Sequence, residues 1–121
     1  MGDHPFQSAN GWRPLCRLDE IEIGRAKYIE PDGEGAVTAP LAVVRTDAMT
    51  ATVLDDTCPH AGASLSGGRV YDGCLVCPWH AWEFRLSDGR CPDNEQITVR
   101  RYDSRVREDG VVEYRPSTVG A

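Results

Sequence analysis

Short runs of β-branched and aromatic residues recur along this chain, and each is cut off within a few positions by Gly, Pro, Asn or Asp. Residues 41–45 and 51–54 form one such pair, joined across Thr46-Asp47-Ala48. Residues 69–71 and 74–77 form another, and Asp72-Gly73 between them is a strong two-residue turn signal. Residues 82–86 read as a strand that ends in the turn Ser87-Asp88-Gly89. Residues 97–102 alternate Ile, Val and Tyr against Thr and Arg, the period-two pattern of a half-buried strand. Residues 104–107 and 111–114 flank Glu108-Asp109-Gly110 as a third hairpin. No ten-residue stretch carries an apolar stripe at helical spacing. The pattern predicts an all-β fold, an antiparallel sandwich or barrel. Residues 30–40, polar and rich in Gly and Pro, read as a surface loop, and 1–10 and 116–121 as loose ends.

Composition narrows the picture. The 121 residues suit one domain, 1–121, with no internal repeat or linker, and a hydrophobic fraction of 40% describes an ordinary globular protein. No apolar run approaches the ~20 residues needed to cross a bilayer. Residues 1–10 have neither a basic nor an apolar segment of the kind a signal peptide needs, so the cytoplasm is the expected location. The net charge of −6 argues against nucleic acid, because phosphate binding needs clustered Lys and Arg. An acidic surface suits either docking to a basic redox partner or simple solubility.

Chemistry concentrates in two short stretches. Cys58-Pro59-His60 and, after sixteen intervening residues, Cys77-Pro78-Trp79-His80 bring together two of the five cysteines and two of the three histidines. Pro59 and Pro78 stiffen each loop by fixing φ and removing an N–H. Gly62, Gly67 and Gly68 let the backbone approach a bound group closely. Such a set can hold a metal centre. A tetrahedral zinc site is chemically possible, although structural zinc usually pairs Cys with Cys and His with His, whereas each loop here mixes the two. Cys74-Leu75-Val76-Cys77 has the spacing of a redox dithiol, but that motif needs a helix start in a βαβ setting, and the surroundings here read as strands. Cys16, Cys74 and Cys91 read as free thiols that pack as small hydrophobes.

Cys58-Pro59-His60-Ala61-Gly62-Ala63-Ser64-Leu65 and Cys77-Pro78-Trp79-His80-Ala81-Trp82-Glu83-Phe84 resemble the two cluster boxes of the Rieske [2Fe-2S] family. The specific likeness runs from about residue 57 to 92 and includes Gly67-Gly68, Asp72-Gly73 and Ser87-Asp88-Gly89-Arg90-Cys91-Pro92. The resemblance implies an antiparallel β base with a small cluster-binding subdomain, about 57–92, made of two loops. It implies one [2Fe-2S] cluster per chain, with Cys58 and Cys77 on one iron and His60 and His80 on the other. High-potential members add a disulfide between the loops and a serine and tyrosine that donate to the cluster. Ala63 and Trp79 stand at the disulfide positions and Trp82 and Phe84 at the donor positions, so the chain resembles the low-potential, soluble ferredoxin branch.

In that branch the expected role is a one-electron carrier, not itself an enzyme, passing electrons from a flavin-dependent reductase to a terminal oxygenase. A small subunit of an assimilatory NAD(P)H nitrite reductase, docked to its large subunit, is the alternative; an interaction module with a structural cluster or zinc is a third. The 121 residues cannot form a complete oxygenase, since only His4 remains for a 2-His-1-carboxylate iron site. Asp55, Asp56 and Glu83 are expected to flank the histidine-bearing tip and attract a basic partner, so that transfer slows as salt rises.

Overall fold

The computed structural model describes residues 11–30, 39–59, 62–79 and 81–115. Among them are eleven strands and no α-helix. Six strands build the main antiparallel sheet: β1 (Arg13–Arg17), β2 (Ala26–Ile29), β3 (Leu41–Arg45), β4 (Ala51–Asp55), β10 (Arg101–Val106) and β11 (Val111–Arg115). They lie in the order β1-β11-β10-β4-β3-β2. Between β4 and β10 the chain leaves this sheet. It forms a three-stranded sheet of β5 (Arg69–Tyr71), β6 (Cys74–Val76) and β7 (Glu83–Arg85), then a two-stranded ribbon of β8 (Arg90–Cys91) and β9 (Asn94–Thr98). The all-β expectation holds.

The β3–β4 hairpin joins two hydrophobic cores. Its register, Val43 opposite Val53 and Ala42 opposite Leu54, follows from the polar turn at 46–50. There Asp47 accepts the N–H groups of Met49 and Thr50 at 2.8 and 3.0 Å. Leu41, Val43 and Val53 face a core shared with Leu18, Ile21, Tyr102, Val112 and Tyr114. Val44 and Leu54 face the other way, into a core shared with Cys58, Leu65, Leu75, Cys77, Phe84 and Val99. A strand buried on both faces reads as a continuous apolar run, and 41–44 is one.

The three predicted hairpins form, with the Asp72-Gly73 turn adopting positive φ at both residues, 53° and 78°. The predicted strand over 97–102 does not form as one. It divides into β9 and β10, because Ile97 and Val99 belong to the core under the loops and Tyr102 to the main-sheet core. The chain crosses between the two at residues 99 and 100. There the Val99 N–H donates to the Gly89 carbonyl at 2.8 Å, and the Asp55 N–H to the Arg100 carbonyl at 2.9 Å. β1 and β2 escape the sequence pattern because they are the two sheet edges and are half-exposed, with little alternation to betray them. Of the expected loop over 30–40, residues 31–38 lie outside the described residues, as do 1–10 and 116–121.

Candidate metal centre

Two loops of equal length carry the cysteine–histidine boxes. The first begins at Cys58, whose N–H donates to the Ala63 carbonyl at 2.9 Å; the second begins at Cys77, whose N–H donates to the Trp82 carbonyl at 2.6 Å. Each loop therefore closes between a cysteine and the residue five positions on. Thr57 pairs with Ser64 at the neck of the first loop, and Val76 with Glu83 at the neck of the second. Both loops reverse direction at the fourth residue after the cysteine, where Gly62 has φ 74° and Ala81 φ 58°.

This arrangement brings Cys58 and Cys77 together. Each is 1% exposed, both belong to one buried cluster, and Cys58 is near enough to weigh on the ionisation of Cys77. The Trp79 N–H donates to the Cys77 sulfur at 3.4 Å. Burial pushes the Cys77 thiol up; the Trp79 N–H opposes this and neighbouring Cys58 adds to it. A buried thiol whose ionisation a neighbouring sulfur makes costlier gains from a nearby cation, and a backbone N–H aimed at sulfur suits a thiolate. The donor set thus fits an iron–sulfur group on the cysteine side. His60 and His80 lie outside the described residues, and no three metal-ligating side chains converge among the described ones.

The other singled-out residues fall as follows. Cys74 and Cys91 are buried thiols, and Cys74 lies in a strand rather than at a helix start, which excludes the dithiol reading's fold context. Trp82 packs against the core below the loops, while Trp79 stands 59% exposed at the surface of the second loop. Asp55 and Asp56 do not flank an exposed tip. Asp55 accepts the Tyr102 hydroxyl at 2.5 Å, and Asp56 is only 3% exposed. Glu83 is half-buried at the neck of the second loop. The exposed acidic collar expected from sequence proximity does not form at these two residues, because Asp55 turns to Tyr102 and Asp56 to Ser64 and Ser66. The sequence reading set Asp56 at the exposed tip rather than at the neck of the loop; its place just before Cys58, with serines eight and ten residues on, was the available signal.

The Rieske [2Fe-2S] domain family model matches residues 11–103. The chain belongs to the Rieske family. A Rieske domain carries one [2Fe-2S] cluster and moves single electrons through it, and its counterparts are redox partners. The Rieske chain is 41% identical over 117 residues to a cholesterol 7-desaturase of Xenopus laevis, covering 96% of this chain and 23% of that protein. It is 40% identical over 93 residues to one from Hemicentrotus pulcherrimus, covering 76% and 19%. The chain thus spans about a fifth of the curated relatives it matches. Among solved structures it is similar to a Mycobacterium tuberculosis protein assigned as the small subunit of an NADH-dependent nitrite reductase. The TM-score is 0.77 at 26% identity, over 89% of this chain and 96% of that one. It is also similar to a chain from the complex of reduced oxygenase and oxidised ferredoxin in carbazole 1,9a-dioxygenase, with TM-score 0.71 at 27% identity, over 86% and 92%.

These relatives correct the expectation of an electron carrier that is not itself an enzyme, at most a component of a multicomponent oxidoreductase. The curated proteins it matches are named as desaturases, which are enzymes. The sequence misled because 121 residues with three histidines hold no second iron site, and that says nothing of what a longer relative holds. Among the described residues no helix is long and apolar enough to cross a membrane.

Proposed function

We propose that Cys58, His60, Cys77 and His80 are the cluster ligands, within a cluster-binding subdomain spanning about 57–92. On this reading the Rieske unit takes single electrons from a flavin-dependent reductase and delivers them to the iron centre of an oxygenase-type enzyme. The observation that carries the reading is the pairing of Cys58 and Cys77 at the starts of two matched loops. The likeness to cholesterol 7-desaturases supports an oxidative enzyme as the destination and makes a sterol the first substrate class to try. When bound, the cluster supplies a reversible one-electron site. Cys58 and Cys77 would hold it on one side, from a buried cluster shared with Ala63, Leu65, Leu75 and Phe84, and His60 and His80 on the other.

A second reading has one observation in its favour. The nitrite reductase small subunit is matched over 96% of its length, as a whole chain rather than a fraction of one. Docking to a sirohaem-type large subunit would then replace delivery to an oxygenase.

Metal and sulfide analysis of the purified protein tests the ligand assignment. Two irons and two acid-labile sulfides per chain are expected. Cys58→Ala and Cys77→Ala should lose the visible colour, while Cys16→Ser should keep it. One zinc and no sulfide, or a colourless Cys16→Ser, would overturn it. Stopped-flow oxidation of the reduced protein by a sterol desaturase catalytic unit or by a sirohaem nitrite reductase separates the two destinations.

A further inference from the structure

The two cluster loops match in length but not in how their necks are held. The neck of the second loop is part of a ladder, with Val76↔Glu83, Leu75↔Phe84 and Cys74↔Arg85 paired in register. At the neck of the first, Thr57↔Ser64 is an isolated bridge. What continues the closure there is one side chain. Asp56 accepts the Ser64 hydroxyl at 2.7 Å on one carboxylate oxygen and the Ser66 N–H at 2.8 Å on the other. Its backbone joins in: the Asp56 carbonyl accepts the Leu65 N–H at 2.6 Å, and the Asp56 N–H donates to the Pro40 carbonyl at 3.0 Å. The Ser66 hydroxyl lies 2.8 Å from that of Ser64 and extends the chain of donors.

A carboxylate is an expensive choice for this task. Asp56 is 3% exposed, and among the described residues no Lys or Arg forms an ion pair with it. Burying a charge without a cation costs several kcal/mol in principle, offset among the described residues by the hydrogen bonds it accepts. Loop closure alone needs two acceptor atoms. The carboxylate adds a negative charge two residues from Cys58, on the low-dielectric side of the loop, where Coulomb interactions are weakly screened. A fixed negative charge there disfavours adding an electron nearby.

We propose that Asp56 is a positioning residue for the cluster: it clamps the neck of the first loop, and its buried charge lowers the reduction potential. The inference rests on the ligand assignment above. Asp56→Asn keeps the shape, keeps one acceptor and removes the charge. Its potential, measured by spectroelectrochemistry at neutral pH, should shift upward. Ser64→Ala, at an exposed position, keeps the charge and removes one donor. It should release iron to a chelator several-fold to about tenfold faster than the wild type. Its potential should shift downward, because the charge is less damped. An Asp56→Asn protein with the wild-type potential would overturn the proposal. So would a Ser64→Ala protein with both wild-type release and wild-type potential, and this arm decides the matter if Asp56→Asn does not fold. A wild-type protein without the EPR signal of a reduced [2Fe-2S] cluster would instead strike the ligand assignment, and Asp56 would fall with it.

Discussion

Ala81 occupies a backbone conformation that alanine tolerates poorly. Its φ of 58° matches that of Gly62 at the equivalent place in the other loop. A left-handed residue with a Cβ costs about 1–2 kcal/mol, while glycine there costs only the extra freedom of the unfolded chain. Ala81→Gly should therefore raise stability by about 0.5–1 kcal/mol, and Gly62→Ala should lower it by a similar amount, as read by thermal unfolding. A Cβ on Gly62 would meet nothing within 4 Å, so its cost is backbone strain alone. Cys16 offers a second test at this scale. Burial, then Glu20, pushes its thiol up from 9.0 to about 11, against a smaller opposing pull from Lys27. The folded state thus holds this proton more tightly than the unfolded state. Its contribution is fully present below pH 9 and is lost as pH rises toward 11. The stability difference between wild type and Cys16→Ser should change over that range and be flat below it.

Individual elements are seated by close approaches that sequence pattern does not mark. Gly68, which follows the first loop, lies against β6. A Cβ there would sit 1.9 Å from the Val76 carbonyl oxygen, and its φ of −88° is ordinary, so the constraint is contact rather than backbone. Gly68→Ala must push β6 or the loop aside. Because β6 leads straight into Cys77, the variant should lose about 2 kcal/mol or more and also alter the visible circular dichroism of the cluster. Gly67, by contrast, would place a Cβ in ordinary contact with Pro78 and has no such requirement. Phe84 on β7 is fully buried beneath both loops, and Phe84→Ala should cost about 3–5 kcal/mol in unfolding free energy.

At the scale of the whole molecule, charged side chains stop at the necks of the loops, at Asp56 and Glu83. The segments 57–68 and 74–82 contain no Asp, Glu, Lys or Arg, in a chain whose net charge is −6. Pro59, Gly62, Pro78, Trp79 and Ala81 are exposed there. A partner that docks over the loops meets segments without Asp, Glu, Lys or Arg. Electron transfer to that partner should then change by less than about threefold as salt rises from low concentration to roughly 0.5 M. Stopped-flow rates across ionic strength check this; a steep fall would place the docking site elsewhere, on the charged base.

The sequence by itself determined the family to which the chain belongs. Residue type and spacing are local, so Cys58, His60, Cys77 and His80 could be read together as a candidate set, and hairpins such as Asp72-Gly73 are fixed by the φ their turn residues tolerate. Tertiary structure decided what depends on which face a residue turns. The run over 97–102 alternates convincingly along the chain, yet Val99 and Tyr102 enter different cores. Asp55 and Asp56 look like an exposed acidic pair, yet strand pairing points one at Tyr102 and the other at Ser64 and Ser66. The matched closure of the two loops was hidden for the same reason. The pairs that make it, residue 57 with 64 and 76 with 83, are set by sheets that no local pattern records.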